Sequence, residues 1–553
     1  MINIQVNQIG YRPSDVKVAT FRIGDTKAVS DSVNTEKTIS DTFRVVDSKS
    51  GQIVFEGNTS DIKESEINGE INATGDFSEV TTEGTYFIES DDNGRSYEFV
   101  IRDNVYEEVL KSSMKMFYLQ RCGCELPKLY AEKYAHKACH NTMARIYDTE
   151  KYIDVTGGWH DAGDYGRYIV AAAKAVTDLM MAYEYFPDKI EKAIENYENR
   201  SGIPFIIDEI KYELDWMLKM QDPETGGVYH KVTCASFPGF VMPEEETEEL
   251  IVSPISDAAT CDFIATMAYA YRVYSGLEEK YGDIALEYTD SAEEYLNAAK
   301  MAVSFIENHT AGEFLNPKGI VTGEYGDSRT EDEFFWAYAE MYKTTGEKKY
   351  ENALKEMDLD SIEGEFGWKE VGDYGFYAYI TSDADKNSDF YKAVYKRFID
   401  ENNEKIAKCN EDAYRSSIYG NFYWGCLMEV ADNAKRGIII DKLQGTNDYR
   451  RMASAQLDYI LGNNPNSKCF ITGFGTNQVV NPHHRPSAAV GTAMPGMLVG
   501  GMEPLLLDDK AKELLQGFPP VKCYLDELDS YSTNEITIYW NSPIVFLLAY
   551  MCS

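Results

Sequence analysis

The sequence predicts an all-β sandwich at the N-terminus, followed by a larger all-α domain. Apolar residues alternate with polar ones in short runs as far as about Arg102, and after Asn104 they recur at the three- and four-residue spacing of helices. The first pattern is typical of half-buried strands, and the second is typical of amphipathic helices. The chain of 553 residues is also long enough for more than one domain. We therefore expect a sandwich over residues 1–103 and a helical domain over residues 104–553.

The sandwich is predicted from short alternating runs that are separated by clusters of Gly, Asn, Asp and Ser. Two polar stretches, Asp25–Ser40 and Asp61–Asn72, are predicted to be loops. No catalytic constellation is visible in this part, so we expect an antiparallel sandwich without chemistry of its own. The predicted strands are Ile4–Val6, Val18–Ile23, Phe43–Asp47, Gln52–Phe55, Gly84–Ile88 and Tyr97–Ile101.

The helical domain is predicted from segments of helical period that are joined by long loops rich in Gly, Pro and Asp. Their number suits a toroid of paired helices whose loops gather at one end. The acidic run Glu244–Glu249 is predicted to be a solvated edge. The predicted helices are Tyr106–Arg121, Tyr168–Tyr185, Phe205–Met220, Asp257–Ser275, Tyr288–Asn308, Thr330–Thr345, Lys348–Lys355, Ser388–Glu401, Asn421–Arg436, Tyr449–Leu461 and Ser542–Met551.

The charge balance argues against two classes of partner. The formal net charge is −39 and the pI is near 4.6, so the chain repels phosphate groups, and neither nucleic acid nor a membrane surface is expected to bind. The ten cysteines are sparse and irregularly spaced, which favours reduced thiols or a metal site over a disulfide framework. Met1–Val6 lacks the basic and apolar regions of a signal peptide, so a cytoplasmic enzyme is expected unless a signal has been removed. The oligomeric state is not predicted.

Two distant segments carry acids in patterns that suit catalysis. Gly157–Tyr168 places Asp161 and Asp164 three residues apart, between a glycine pair and a predicted helix. Side chains at this spacing share one face of a helical turn, so both could reach one substrate atom or one water. The alternative is a glycine-rich turn in which Asp164 caps the helix. Near the other end, Glu535 leads into an apolar, aromatic segment, which favours a protonated carboxyl able to donate its proton. The alternative, which this segment alone does not exclude, is a surface glutamate before a strand or helix.

Five dispersed segments are distinctive in sequence: Trp159–Tyr165, Asp458–Pro465, Phe470–Gly475, Asn481–Ser487 and Tyr524–Pro543. Together they resemble the signature blocks of glycoside hydrolase family 9, the family of cellulases and cellodextrinases. The opening Gln8–Pro13 resembles the start of the immunoglobulin-like module that precedes the catalytic domain in one branch of that family. The resemblance implies an N-terminal all-β immunoglobulin-like sandwich followed by an all-α (α/α)6 barrel.

The resemblance also implies roles for individual residues. Family members invert the anomeric centre, which requires one acid on the glycosidic oxygen and one base that holds a water on the opposite face of the sugar. By position in the motifs, Glu535 is the general acid, Asp164 is the base, and Asp161 is a second carboxylate that helps to hold the water. His483 and Arg485 would bind sugar hydroxyls beside the cleaved bond.

Two further residues are predicted to line the cleft. Trp424 stands where the family often has an aromatic residue that stacks on a sugar. His230 is also predicted to contact substrate, and the alternative is a structural histidine whose ring nitrogens are satisfied inside the fold.

A zinc site is expected at Cys122, Cys139, His140 and His160. Two thiolates and two imidazoles are the ligand set of a closed structural zinc site, and these residues resemble the zinc ligands of the family branch with the N-terminal module. The alternative is that the cysteines are small buried apolar residues, and Cys124 leaves the choice of the first ligand open.

A calcium site is a further expectation. Gly326–Glu333 supplies clustered oxygen ligands of the kind that calcium takes. Ser328, Asp332 and Glu333 resemble a calcium loop of the family, with Asp373 as a distant partner. An acidic helix N-terminus has the same composition without a metal.

The sequence therefore predicts an inverting glycoside hydrolase that cleaves β-1,4-glucosidic bonds in cellodextrins and soluble β-glucans. No organic cofactor is expected. The alternatives are an exo-β-glucosaminidase or a β-glucosidase on the same scaffold, and a non-catalytic sugar-binding protein. The last is disfavoured because all three carboxylates are present.

Overall fold

The computed structural model describes residues 3–23, 39–65, 67–194, 202–309 and 311–553. The chain divides into two compact units. The first unit contains Met1–Met116 together with Asn402–Ser553, and the second contains Phe117–Glu401. Nearly all of the predicted loop Asp25–Ser40 lies outside the described residues. In the part of the chain that is described, no helix is both long and apolar enough to cross a membrane.

The N-terminal part of the first unit is a sandwich of two sheets. Its strands are β1 (Ile4–Gln5), β2 (Gly10–Tyr11), β3 (Val18–Ile23), β4 (Thr42–Asp47), β5 (Ile53–Asn58), β6 (Lys63–Ser65), β7 (Glu70–Asp76), β8 (Gly84–Ser90), β9 (Gly94–Arg95) and β10 (Phe99–Ile101). One sheet has the order β1-β3-β7-β6, and the other has the order β2-β10-β8-β4-β5 with β9 beside β8. The pairs are antiparallel except for β2 with β10, which is parallel. Residues from both sheets share one apolar core, in which Tyr11 packs edge-on against Phe77 and Phe99. The sandwich prediction is confirmed.

One loop prediction in the sandwich is wrong. The stretch Asp61–Asn72 contains β6 and the start of β7, and β7 pairs with β3 from Ile71 to Asp76. Its polar residues suggested exposure, but Glu70 is buried and accepts hydrogen bonds from Arg22 Nη1 at 3.1 Å and from the Tyr414 hydroxyl at 2.6 Å. Polar residues can occupy a buried strand when such partners satisfy them.

The first unit joins the two ends of the chain through buried polar contacts. Asn7 Nδ2 donates to Asp458 Oδ1 at 2.9 Å. Gln8 Nε2 donates to the Ser467 carbonyl at 2.9 Å, and Gln8 Oε1 accepts from the Asn477 backbone N–H at 2.8 Å. The N-terminal strands are thus fixed to the C-terminal third of the chain by specific side chains.

Helices make up about half of the remaining chain. They are α1 (Glu107–Leu119), α2 (Lys128–Ala131), α3 (Ile169–Tyr185), α4 (Pro187–Ala193), α5 (Phe205–Lys219), α6 (Asp257–Ser275), α7 (Leu277–Tyr281), α8 (Leu286–Asn308), α9 (Glu331–Thr345), α10 (Lys348–Glu356), α11 (Gly372–Ile380), α12 (Asp389–Ala407), α13 (Cys426–Gln444), α14 (Arg450–Ile460), α15 (Arg485–Val490), α16 (Asp509–Leu515), α17 (Tyr531–Asn534) and α18 (Ile538–Met551). In the second unit, α6 packs against α3, α8 and α9, and α9 packs against α10 and α11. In the first unit, α13 packs against α14 and α18.

Most predicted helices are present with small shifts at their ends. Helix α6 has the predicted bounds, because the Ser256 side chain caps it by accepting from the Ala259 N–H and Gly276 ends it. Helix α13 begins later than predicted, after Gly425 in a left-handed conformation, and continues to Gln444. Helix α11 was not predicted, because it is buried on all sides and therefore shows no apolar period.

The second unit also contains a small sheet that the sequence did not predict. Its strands are β11 (Ala144–Ile146), β12 (Tyr152–Ile153), β13 (Arg167–Tyr168), β14 (Lys231–Thr233) and β15 (Ile251–Val252), in the order β12-β11-β15-β14-β13. Strands of two or three residues are too short to give an alternating pattern. The sheet matters for the site because β13 directly follows the segment that carries Asp161 and Asp164.

Candidate active site

The aspartate loop, residues 157–166 of the second unit, is held in an extended path by the chain segment 120–122. Arg121 and Trp159 form an antiparallel bridge. The Cys122 N–H donates to the Gly158 carbonyl at 2.7 Å, and the His160 N–H donates to the Gln120 carbonyl at 2.7 Å. Gly158 has a φ of +78°, and a Cβ there would lie 2.7 Å from the Trp216 ring, so glycine is required.

Asp164 lies inside this loop and does not cap a helix. Its Oδ2 accepts from the Gly166 N–H at 3.2 Å and from the Tyr168 hydroxyl at 3.3 Å. The N-cap position of α3 is Tyr168, which makes no side-chain cap bond. The capping alternative for Asp164 is therefore wrong.

Asp161 is the more deeply buried of the two acids. It is 1% exposed, against 6% for Asp164. The Tyr325 hydroxyl donates to Asp161 Oδ2 at 2.6 Å, while Asp161 Oδ1 is buried and accepts no hydrogen bond within the described part of the chain. Burial raises the pKa of Asp161 well above its usual value, the charge of Asp164 raises it further, and the bond from Tyr325 opposes both effects. The two acids thus interact while occupying different environments.

Tyr325 is a site residue that sequence reasoning missed. It has a φ of +50°, and its ring packs against Tyr168 and Trp368 at centroid distances of 4.7 and 4.8 Å. The two tyrosines that donate to Asp161 and Asp164 therefore contact each other. With 40 tyrosines in the chain, nothing local marked this one, although its place just before the acidic segment 327–333 was a usable signal.

His230 is fully buried beside the loop that carries Tyr325. Its Nδ1 is 2.8 Å from Ser256 Oγ, its Nε2 is 3.1 Å from the Glu324 carbonyl, and its ring stacks on Phe314. Burial lowers the pKa of His230 to about 3, so the ring is neutral. Both nitrogens have protein partners, as the alternative prediction states, and a sugar contact would require the loss of one of these bonds.

The four predicted zinc ligands lie together in the second unit. The ligand atoms of Cys122, Cys139, His140 and His160 are all within 4.8 Å of one another, and all four residues are buried. Cys139 Sγ is 3.7 Å from His160 Nε2. Cys124 is not part of the cluster, so the structure selects Cys122 as the first ligand.

The environment of His140 fits a metal ligand. Its Nε2 is 2.8 Å from Glu246 Oε2, whereas its Nδ1 is buried and makes no hydrogen bond within the described residues. Carboxylates commonly hold the distal nitrogen of a metal-bound histidine in this way. Glu246 belongs to the acidic run that was predicted to be solvated, and for this residue the prediction is wrong, since its side chain is 6% exposed.

The predicted calcium ligands are less well gathered. Asp332, Glu333 and Asp373 are buried, whereas Ser328 is exposed. Burial raises the pKa of Glu333 well above its usual value, and the charges of Asp332 and Asp262 raise it further. Among the residues that the structure describes, only the Cys–His cluster brings three or more such ligand atoms to metal-binding distances. The calcium site stays a prediction.

The first unit contains the other predicted catalytic acid. Glu535 is half-buried and directly follows α17, and its N–H donates to the Tyr531 carbonyl at 3.2 Å. Glu535 also forms a parallel bridge with His483, whose N–H donates to the Asn534 carbonyl at 2.9 Å. The structure thus brings the predicted acid and one predicted sugar ligand together.

Two polar residues of the C-terminal block hold this arrangement and were not singled out from the sequence. Asn534 accepts from the Tyr524 hydroxyl at 2.6 Å and donates to the Asn481 carbonyl at 2.6 Å. Asp526 accepts from the Asn481 N–H at 2.8 Å and from Lys468 Nζ at 2.6 Å. Both side chains therefore fasten the segment before His483 to the segment that carries Glu535.

Aromatic side chains flank Glu535 in the same unit. Trp424 is 39% exposed, and its ring lies 5.4 Å from the Tyr531 ring, which in turn lies 6.0 Å from the His483 ring. Arg485 is buried at the start of α15. Partly exposed aromatic faces beside polar groups suit a sugar, which has an apolar ring face and a rim of hydroxyls. Tyr531 was missed as a separate candidate.

Comparison with known proteins identifies the family. Residues 106–548 match glycosyl hydrolase family 9, and residues 2–95 match the cellulase N-terminal ig-like domain. Endoglucanase D of Acetivibrio thermocellus is 34% identical over 99% of this chain and 83% of its own length. A cellodextrinase of Butyrivibrio fibrisolvens is 35% identical over 92% of this chain and 94% of its own length.

Solved structures agree with this result. A single mutant of the thermostable endoglucanase from Alicyclobacillus acidocaldarius has a TM-score of 0.89 and 34% identity, with 100% of both chains covered. A Zn-binding triple mutant of the family 9 endoglucanase J30 has a TM-score of 0.87 and 30% identity, with 98% of this chain and 99% of that chain covered. The chain is therefore a glycoside hydrolase of family 9 that carries the N-terminal immunoglobulin-like domain of cellulases.

Proposed function

We propose that this enzyme hydrolyses β-1,4-glucosidic bonds in cellodextrins and soluble β-glucans with inversion at the anomeric carbon. The observation that carries the proposal is the buried pair Asp161 and Asp164 in a family 9 chain, with a separate tyrosine hydroxyl on each carboxylate. The similarity to both a cellodextrinase and an endoglucanase supports the substrate class. Family membership also supports an (α/α)6 barrel for the helical domain.

In the proposed reaction, Asp164 removes a proton from the attacking water. The bonds from the Gly166 N–H and the Tyr168 hydroxyl restrict its carboxylate to one orientation. Asp161 helps to hold the same water, and Tyr325 keeps Asp161 in place. Glu535 donates its proton to the glycosidic oxygen. Inverting enzymes keep acid and base roughly 6.5–9.5 Å apart, which leaves room for the water.

Substrate binding is proposed to use the aromatic and polar groups near Glu535. Trp424 and Tyr531 offer ring faces to the sugar, and His483 and Arg485 offer donors to its hydroxyls. His483 Nδ1 is 2.6 Å from the Leu528 carbonyl, and this contact orients the ring.

We propose that Cys122, Cys139, His140 and His160 bind a structural zinc ion. The soft four-membered donor set and the buried Nδ1 of His140 support this ion. When bound, zinc supplies a crosslink. Because His160 directly precedes Asp161, that crosslink would restrict the aspartate loop.

A calcium ion is proposed near Ser328, Asp332, Glu333 and Asp373. The support is the burial of three carboxylates, because a divalent cation would relieve their mutual repulsion. Equilibrium dialysis against Ca²⁺ tests this, with about one bound ion expected for the unmodified chain and none for Glu333→Gln. Absence of bound calcium in the unmodified chain refutes it.

A product time course on cellotetraose, with anomers followed by NMR, tests the proposed reaction. We expect cleavage products whose new reducing ends appear first as the α-anomer, because inversion converts a β-linkage to that form. Initial β-anomer would refute the inverting mechanism. Release of glucosamine from chitosan oligomers without cleavage of cellotetraose would establish the glucosaminidase alternative, and binding without turnover would establish the sugar-binding alternative.

A further inference from the structure

Two glutamates of α5 lie one helical turn apart beneath the aspartate loop, and both bind Trp159. Glu213 Oε2 accepts from the Trp159 backbone N–H at 2.5 Å, and Glu209 Oε1 accepts from the Trp159 indole N–H at 2.7 Å. Both glutamates are at most 1% exposed. Trp159 is only two residues before Asp161. One face of α5 therefore binds both the main chain and the side chain of Trp159, close in sequence to the two aspartates.

Glu209 is also paired with a charged residue that belongs to the loop's neighbouring segment. Arg121 Nε lies 3.0 Å from Glu209 Oε1, and Arg121 Nη2 lies 2.9 Å from Glu209 Oε2. Arg121 itself bridges Trp159 through the main chain. Arg121, Glu209 and Trp159 thus form a closed set of contacts, in which moving any one member strains the other two.

Glu213 lies in a different electrostatic setting. Burial raises the pKa of Glu213 well above its usual value, and the charge of Arg167 opposes this effect. Arg167 is itself buried, and its Nη1 donates to the carbonyls of Val155 at 2.6 Å and Gly157 at 2.8 Å. The start of the aspartate loop is therefore held by Arg167, and its Trp159 is held by Glu213.

The composition of this contact argues for a role beyond packing. Burying carboxyl groups costs free energy that an apolar residue of the same size would not incur. Each glutamate nevertheless uses one carboxyl oxygen to accept a hydrogen bond from Trp159, on a helix whose buried face is mostly apolar. Such supporting contacts hold reactive groups within the narrow geometry that catalysis requires.

We propose that Glu209 and Glu213 are positioning residues for hydrolysis: through Trp159 they fix the loop on which Asp161 and Asp164 meet the attacking water. The inference rests on the proposed function, because it takes Asp164 as the base. Misplacing reacting groups by about 1 Å can cost roughly 100-fold in rate. The effect should fall on the chemical step, since neither glutamate is assigned a contact with substrate.

The test compares Glu213→Ala with Glu213→Gln in the full chain, with cellotetraose as substrate. Glu213→Ala removes the acceptor for the Trp159 N–H, and we expect kcat to fall roughly 100-fold while KM stays within about two-fold. Glu213→Gln keeps an oxygen acceptor, and it should recover kcat to within about five-fold of the unmodified enzyme. Because glutamine also restores the size of the side chain, Glu213→Met, which keeps the size but lacks an oxygen acceptor, should keep a kcat as low as that of Glu213→Ala.

Glu340→Ala is the matched control. Glu340 is a buried glutamate of α9 in the same unit, and its Oε2 lies 2.5 Å from Arg272 Nη2, but it has no contact with the aspartate loop among those described. Glu340→Ala should lower the free energy of unfolding but keep kcat within about two-fold of the unmodified enzyme. The proposal is overturned if Glu213→Ala keeps kcat within two-fold of the unmodified enzyme. It is also overturned if Glu340→Ala lowers kcat as much as Glu213→Ala does.

A second variant covers the case in which Glu213→Ala does not fold. Trp159→Phe keeps the main-chain N–H and loses the indole N–H that Glu209 accepts, and it should lower kcat about 10-fold with KM unchanged. An unchanged kcat in Trp159→Phe would overturn the positioning role proposed for Glu209. Failure of the proposed function would look different, since the unmodified enzyme would leave cellotetraose uncleaved or Asp164→Asn would keep full turnover.

Discussion

Tyr325→Phe tests the link between a single hydroxyl and the catalytic loop. The hydroxyl donates to Asp161 Oδ2 at 2.6 Å, and the other carboxyl oxygen is buried without a hydrogen bond in the described structure. The substitution therefore removes the one side-chain donor seen on Asp161 there and keeps the ring that packs against Tyr168 and Trp368. We expect turnover to fall while the loop keeps its fold.

The size of the effect follows from the kind of bond. A hydrogen bond to a charged group contributes about 1.5–3 kcal/mol. If this whole free energy stabilises only the transition state, its loss lowers kcat by roughly 10- to 150-fold, since each 1.36 kcal/mol is a factor of ten. A smaller loss would mean that part of the bond is equally strong in the free enzyme and in the transition state, and that part would affect stability instead of turnover.

Tyr374→Phe is the control for this experiment. Its hydroxyl donates to the buried Asp178 at 2.7 Å, so the pair has the same chemistry inside the same unit. Both variants should lose about 1–2 kcal/mol of unfolding free energy in urea, but only Tyr325→Phe should lose kcat on cellotetraose. The reasoning fails if the two variants have the same kcat.

Three further outcomes are expected. Glu535→Gln should lower turnover about 10²- to 10⁴-fold, while calorimetry still detects oligosaccharide binding. Asp161→Asn should keep more activity than Glu535→Gln. Unchanged turnover in Glu535→Gln would exclude Glu535 as the general acid. Metal analysis should find one zinc equivalent in the unmodified enzyme and none in Cys139→Ser, which should also melt at a temperature roughly 5–10 °C lower. Cys234 is a buried thiol outside the cluster, so the control variant Cys234→Ser should keep the metal. An unmodified enzyme without metal would refute the zinc site. Burial raises the pKa of Asp458 from 3.8 to about 7, so its contribution to stability is full below about pH 4 and is lost as the pH rises through 7. Asp458→Asn should therefore add up to about 4 kcal/mol of unfolding free energy at pH 8 and less at pH 5; an equal gain at both pH values in urea titrations would contradict this.

Strands and helices were predictable where the polarity and the end residues of a segment match the surroundings that the segment has in the folded chain. Ser256 and Gly276 mark the two ends of α6 in the sequence itself, and the structure has those ends. Helix α11 gave no such signal, because a helix buried on every side has no polar face to set its period. Strand β7 was hidden for the opposite reason, since Glu70 is polar and its partner Tyr414 is far away in sequence.

The sequence marked the candidate reactive groups but not the residues that support them. Asp161, Asp164 and Glu535 stand in recognisable motifs, and the four Cys and His residues have a distinctive donor chemistry. Tyr325 and Glu246 act through contacts that only the folded chain creates. Glu209 and Glu213 have the spacing of a charged, solvated helix face, and burial beneath a loop is not visible in that pattern.

The assembly of the first unit from both chain ends has a consequence for biosynthesis. Asn7 and Gln8 leave the ribosome long before Asp458, Ser467 and Asn477 are made, with all of residues 117–401 in between. At ordinary elongation rates of about 5–20 residues per second, that interval is roughly 20 to 90 seconds. During it the nascent sandwich holds polar side chains whose partners do not yet exist, and the segment that carries Glu535 is translated later still. Activity should therefore appear only after that segment has been made, and contacts of such long sequence separation predict slow refolding.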